Sequence, residues 1–305
     1  VAEIVYEEPW RCFFSESEIT LHIRAGEDQN QRRTPHWSLI IADRTVMSGT
    51  ARIAADGTSE IKLTLPPVKP GVVLDATLRL SSAAALEAQL DKSLAIFPAD
   101  AFSSLPGLQE LEITLFDPTK TTADVLTKTG LPITQVRTAE ALRTSKSRFI
   151  VIGEGVPADR HADLPQVLMD ILTAHRTILC LAPASGHWRL PMWSGAEQAL
   201  GSITLRRGDA IRELNKRFDF ATWPGAEHTI EGGLVLETVR GQFGARMAEG
   251  SATWPWVETN GAAGGRVIYC GFGLIKHWEA TPVPRYILAE LLQRAVANKT
   301  EIVDK

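Results

Sequence analysis

Alternating apolar and polar positions dominate the first hundred residues. In EITLHIRA, Ile19, Leu21 and Ile23 are separated by polar residues, the period of a half-buried strand. Trp37, Leu39 and Ile41 repeat the rhythm in HWSLIIAD, and Ile61, Leu63 and Leu65 repeat it after Asp56-Gly57. The positive-φ turn chemistry of Asp-Gly predicts a hairpin across GTARIAADGTSEIKLTLP. VVLDATLRLS adds Val72, Leu74, Ala76, Leu78 and Leu80, and KSLAIFP closes the series. Turn signals roughly every ten residues suit two packed sheets, so residues 1–105 are expected to form an all-β, Ig-like β-sandwich. SAAALEAQLD stays open between helix, by propensity, and loop or strand continuation, by position.

Past ADAFSSLPGLQE the rhythm changes. LEITLFDP, PITQVRT, RFIVIGEGV and TILCLAP read as short apolar strands. Between them, TTADVLTKTG reads as a helix capped by a threonine and stopped by Gly130, and AEALRTS as a second helix. DLPQVLMDILTAHR puts Leu164, Val167, Leu168, Ile171 and Leu172 on one stripe. This order predicts an α/β domain over 106–305, a doubly wound parallel sheet with helices on both faces. A last strand at Arg266–Gly271 and a last helix at Arg285–Ala297 complete it. Residues 184–263 are the least regular and hold five of the eight tryptophans, so they are expected to be an insert at the rim of the sheet.

Composition narrows the function classes. The 305 residues are 44% hydrophobic and 22% charged, with a net charge of −4. That balance gives no electrostatic footprint for nucleic acid or an anionic membrane, and no apolar run reaches the length of a bilayer span. Acidic residues in VAEIVYEEPW stand where the basic region of a signal peptide belongs. A chain beginning at Val1 leaves room for a leader or a larger upstream segment. Three cysteines cannot make a disulfide framework, and the seven histidines lack zinc-ligand spacing, so neither metal nor cofactor is expected.

The candidate chemistry lies at the strand ends. Asp117, Glu154, Asp159, Asp163, Ser185 and His187 follow the first, third and fourth parallel strands, the edge where open α/β sheets bind ligands. Against this stands a bland reading, a solvated rim of helix caps. Cys180 and Cys270 read as small core residues, since neither has the flanks of a nucleophile elbow. VIGEGV lacks the third glycine of a dinucleotide loop and the lysine of a P-loop. Trp188, Trp193, Trp223 and Trp254 are candidates for a sugar-stacking platform, with core packing or protein contact as the competing role.

Four segments occur in a telling order: FIVIGEG, TILCLAPASGHWRLP, RELNKRFDFATWPG and GGRVIYCGFGLIKHWEATPVPRYILAELLQRAV. In that order they resemble class I glutamine-amidotransferase-like (flavodoxin-like) domains. The likeness is to the non-catalytic kind attached to bacterial glycoside hydrolases of the family 2 and β-galactosidase-like groups, preceded by a β-sandwich. Active members of that class carry a cysteine in a glycine-flanked elbow and a late His-x-Glu. The matching positions here are Gly153-Glu154-Gly155 and Ala182-Pro183-Ala184, and His277-Trp278-Glu279 is the single His-x-Glu. The resemblance implies an accessory region of a carbohydrate-active protein, with a scaffolding, oligomerisation or glycan-site-supporting role. Its implied partners are carbohydrate, a catalytic domain of a larger protein or a second copy, in a secreted or periplasmic setting. Two readings compete with it. One is a hydrolase acting on a carbohydrate or ester through Asp117, Glu154, Ser185, His187, His277 or Glu279. The other is a sugar-binding module using the tryptophan-rich insert.

Overall fold

The computed structural model describes residues 4–25, 34–82, 85–172, 176–189, 200–219, 223–239, 242–248, 252–261 and 264–303. Eight strands come first: β1 (Ile4–Tyr6), β2 (Cys12–Phe14), β3 (Glu18–Ala25), β4 (His36–Ile41), β5 (Arg44–Thr50), β6 (Thr58–Thr64), β7 (Leu74–Ser82) and β8 (Ala85–Phe97). They form two sheets, β1-β3-β6 and β2-β8-β7-β4-β5. Alternation explains their facing. Leu21 and Ile23 of β3 and Ile61 and Leu63 of β6 meet Leu39, Leu78, Leu80, Leu94 and Ile96 of the other sheet in one core.

One expectation changes here and one open reading is resolved. Asp56-Gly57 does form a turn, with Gly57 at φ 84° and Asp56 Oδ1 accepting the Thr58 N–H at 3.0 Å. It closes no hairpin, however, because β5 pairs with β4 while β6 pairs with β3, so the turn carries the chain from one sheet to the other. The hairpin is instead β4–β5, through Ala42 and Asp43 at φ 47° and 61°, the left-handed pair that a two-residue loop requires. In the ambiguous SAAALEAQLD, the described residues from Ala85 on are strand: β8 pairs with β7 from Leu74↔Ile96 through Ser81↔Gln89, and that ladder overrides alanine's helical preference, while residues 83–84 lie outside the described residues.

The second part runs β9 (Ile113–Phe116), α1 (Thr121–Leu126), β10 (Ile133–Val136), α2 (Ala139–Thr144), β11 (Phe149–Ile152), α3 (Leu164–Leu172) and β12 (Thr177–Leu181). After β12 come β13 (His187–Arg189), β14 (Leu200–Arg206), α4 (Ala210–Leu214), β15 (Gly233–Val239), β16 (Gln242–Ala248) and β17 (Trp256–Gly261). β18 (Arg266–Cys270) and α5 (Val283–Val303) end the chain. A seven-stranded sheet has the order β10-β9-β11-β12-β18-β17-β14, its first five strands parallel and the last two antiparallel additions. The whole is a mixed α and β fold with one largely parallel sheet. Phe149 and Val151 of β11 pack with α1 and α5 on one face, and Ile150 and Ile152 pack with α2 and α3 on the other. The stretch between β12 and β18 is thus more regular than its sequence suggests. β14 and β17 extend the main sheet, and β13-β16-β15 form a small sheet of their own.

The α1 cap is also not the expected threonine. The Asp117 carboxylate accepts the Ala123 N–H at 2.8 Å, while Gly130, at φ 74°, ends the helical stretch as expected.

The N-terminal sheets and the α/β part share a core. Cys12, Phe97, Ala101 and Phe102 belong to the same apolar cluster as Phe218, Trp278 and the buried face of α5. Asp219 Oδ2 accepts the N–H groups of Arg11 and Cys12, each at 2.9 Å, and Arg217 grips Asp75 with two bonds of 2.7 Å. Tyr286 on α5 donates its hydroxyl to the Pro98 carbonyl at 3.0 Å, with its ring 4.7 Å from that of Phe97. Among the described residues, no helix is long and apolar enough to cross a membrane.

Candidate functional site

Four loops meet at the carboxyl ends of the parallel strands. Asp117 follows β9, Gly153-Glu154-Gly155 follows β11, Ala182-Pro183-Ala184 follows β12, and residues 271–281 follow β18. Between β9 and β11 the winding of the sheet reverses, which is where open α/β sheets leave a crevice. At Gly153 the β11 loop packs closely against the start of α1. A Cβ at Gly153 would lie 3.0 Å from Thr122 Oγ1 and 3.2 Å from the Asp117 carboxyl carbon, and the Glu154 N–H donates to Thr122 Oγ1 at 2.8 Å. Asp117 is fully buried and committed to the Ala123 amide and the Thr119 hydroxyl. It caps a helix, the competing role that the sequence left open for this edge.

Glu154 turns toward the loop after β18. Its Oε2 accepts the Ile275 N–H at 2.7 Å and its Oε1 the Lys276 N–H at 3.0 Å. Burial pushes its pKa up, the two amides pull it down, and the nearby charge of Glu231 raises it further. Next to it a second group of charges assembles. Lys276 Nζ lies 3.0 Å from both oxygens of Glu231, and the buried His277 ring presents Nε2 to Glu231 Oε1 at 3.4 Å. The Glu231 backbone is fixed by its N–H donating to the Gly271 carbonyl at 2.9 Å. Trp223 closes the back of this cluster, its ring edge-on to His277 at 5.7 Å.

The other sequence candidates stand apart, each with its own partner. Ser185 donates to Asp159 Oδ1 at 2.8 Å. His187 lies 3.3 Å from Glu237, which Arg246 also engages at 3.3 Å. Glu279 pairs with Arg285, not with His277, so the His-x-Glu does not act as a unit. Cys270 is 0% exposed, with its thiol pushed up to about 12 by burial, and Cys180 is equally buried with its thiol raised for the same reason.

Of the proposed tryptophan platform, Trp223 is 0% exposed and donates its Nε1–H to the Asp219 carbonyl, so it is core, as its large apolar surface favours. Trp254 is half-buried under the Arg207 guanidinium, 4.2 Å from its ring centre. Trp188 lies in β13, opposite Ala245, and Trp193 lies outside the described residues. Sequence reasoning missed Glu231 and Lys276. Their pairing spans 45 positions, and no local motif marks either one. Among the described residues, no group of three or more His, Cys, Asp or Glu side chains could hold a metal ion.

No family model and no curated protein matches this chain. Among solved structures, it is 12% identical to a Bifidobacterium dentium β-glucuronidase, over 60% of this chain and 30% of that one, with a TM-score of 0.23. A putative glycoside hydrolase from Bacteroides vulgatus is 9% identical over 48% of this chain and 28% of its own, at a TM-score of 0.23. Fibronectin(III)-like modules of Clostridium thermocellum CbhA are 11% identical over 32% of this chain and 96% of theirs, at 0.21. This chain spans less than a third of either hydrolase. Scores of this size carry neither fold nor function from those proteins to this one.

Proposed function

We propose that the chain is a non-catalytic accessory region of a carbohydrate-active bacterial protein. In this reading an Ig-like sandwich is joined to a degenerate amidotransferase-like, flavodoxin-like domain, and the pair serves as a scaffold for a catalytic domain or a second copy. A secreted or periplasmic setting goes with that role. One observation carries the proposal. Ala182, at the end of the central strand β12, sits at φ 23°, a conformation that costs a non-glycine residue energy and is usually held for a reason. A nucleophile elbow needs such a backbone at that position. Here it presents only a methyl group, 5% exposed, with its N–H donating to the Cys270 carbonyl at 2.6 Å. The strand end is strained but carries no reacting atom and leads into β13 instead of a helix, and the cysteine alongside is buried, its thiol pKa raised by that burial.

The test is a panel of glutamine, ester and aryl-glycoside substrates given to the purified chain. No turnover above buffer is expected, together with no reaction of Cys270 with a thiol reagent until denaturant is added. A second reading, a hydrolase, draws on the Glu231–His277 pair, since a carboxylate that orients an imidazole is the usual support for a general base. Turnover removed by both His277→Ala and Glu231→Gln, in variants that keep the native circular dichroism spectrum, overturns the first reading in favour of the second. The sugar-binding reading loses Trp223 to the core and retains Trp254 alone among the candidates whose side chains are described.

A further inference from the structure

Glu154 is hydrogen-bonded as an anion, with two consecutive backbone N–H groups and one carboxylate oxygen for each. An ionised carboxylate only accepts, whereas a protonated one turns one of its oxygens into a donor. Proton uptake therefore sets an O–H against an N–H that it previously received. Burial, which disfavours the charged form, raises the carboxyl's pKa and so favours this proton uptake. Among the described residues, five ionisable groups stand around the carboxylate. Glu231 opposes its charge and Lys276 supports it. Cys270 lies beneath as a neutral thiol, and Asp117, beside Gly153, is already spent on α1. His277 reaches the group through Glu231.

The segment that Glu154 holds connects two regions. At one end, Lys276 and His277 complete the cluster with Glu231. At the other, Trp278 stacks on Phe102 with 6.1 Å between ring centres and 9° between planes. Arg285 then joins the Trp278 carbonyl to the Ala99 carbonyl with bonds of 3.0 Å each. A change at Glu154 is therefore one short turn away from the junction with the N-terminal sheets.

We propose that Glu154 is a proton-operated latch for residues 273–279. As a carboxylate it pins the Ile275 and Lys276 amides to the sheet edge. On taking up a proton from solvent it lets go of one of them and loosens the Lys276–Glu231–His277 cluster. The latch belongs to the fold and holds whether the chain is an accessory region or a hydrolase.

Amide hydrogen exchange on the full chain, corrected for intrinsic rates and followed from about pH 8 to pH 4, tests it. Protection of the Ile275 or Lys276 amide should fall on the order of tenfold as Glu154 takes up its proton, the loss of one hydrogen bond to a charged acceptor. Amides of α5 between Ile287 and Leu292 should keep their protection. In Glu154→Gln the same amide should be weakly protected at every pH. Because that variant can fail to fold, the wild-type protein also provides a direct measurement. Carbon-13 titration of the Glu154 carboxyl should share its midpoint with the change at the amides. A pH-independent protection of both amides, different midpoints, or a loss occurring only together with α5 would each overturn the proposal.

Discussion

At the scale of the residue, the tryptophans separate most sharply. Trp223 has no solvent exposure, bonds the Asp219 carbonyl and backs the His277 ring, so Trp223→Ala removes a filled volume from the shared core. A loss of about 3–5 kcal/mol in urea denaturation is the expected result. Trp254→Ala, at a half-buried site, should cost clearly less. Equal losses would mean that burial is not what distinguishes the two. Sequence alone could not tell them apart, because both lie in glycine-rich stretches without a readable period. Glu154 was legible, since it follows an apolar strand at a ligand-binding edge. What its carboxylate does was not, because its partners are backbone amides 121 and 122 positions away. Glu231 gave no signal at all for the same reason of distance along the chain.

At the scale of the element, β1 is held by a titratable clasp. The buried Glu8 carboxylate accepts the His22 backbone N–H at 2.8 and 2.9 Å and also engages the His22 ring. The Glu8 carbonyl takes Lys92 Nζ of β8 at 2.5 Å, so Glu8, two residues past β1, ties the two N-terminal sheets together. The bond to Glu8 raises the His22 pKa from 6.5, with Glu60 and Glu7 adding charge. A histidine with a raised folded pKa contributes stability fully below 6.5 and loses it as pH climbs through the folded value. The β1 amides should therefore exchange faster, after intrinsic correction, on the alkaline side of His22. Glu8→Gln should return the His22 proton-NMR titration toward 6.5 and remove that step. An unchanged His22 midpoint in this variant would rule the clasp out. The alternation of β3, β4, β6 and β7 could be read directly, because one face of each is buried. Which sheet β5 and β6 join could not. Asp-Gly specifies a reversal of the chain but not its new neighbour, and Ala42, a poor left-handed residue, concealed the true hairpin.

At the scale of the whole molecule, the N-terminal sheets and the α/β part are expected to unfold together. Asp219→Ala strips the acceptor from the Arg11 and Cys12 amides and should cost about 2–4 kcal/mol. Calorimetry of the wild type should give one transition, and two well-separated transitions would refute the joint core. The parallel order of β9 through β12 and β18 was legible from apolar strands alternating with amphipathic helices. The small sheet β13-β16-β15 was not: β15 and β16 are joined by two residues only, but β13 pairs with β16 over more than fifty intervening positions, and no local pattern announces that partner.

The Asp219 bonds also set where the chain can be divided. A protease or a gene boundary placed in the stretch near Pro106 would look harmless by sequence, since Pro, Gly and Ser mark it as a connector. Yet Arg11 and Cys12, at the start of β2, take their amide acceptor from residue 219, so a cut there would leave these two buried or half-buried N–H groups without their partner. The two parts are separate in pattern but joined in packing, so the connector marks a change of rhythm, not a clean place to cut.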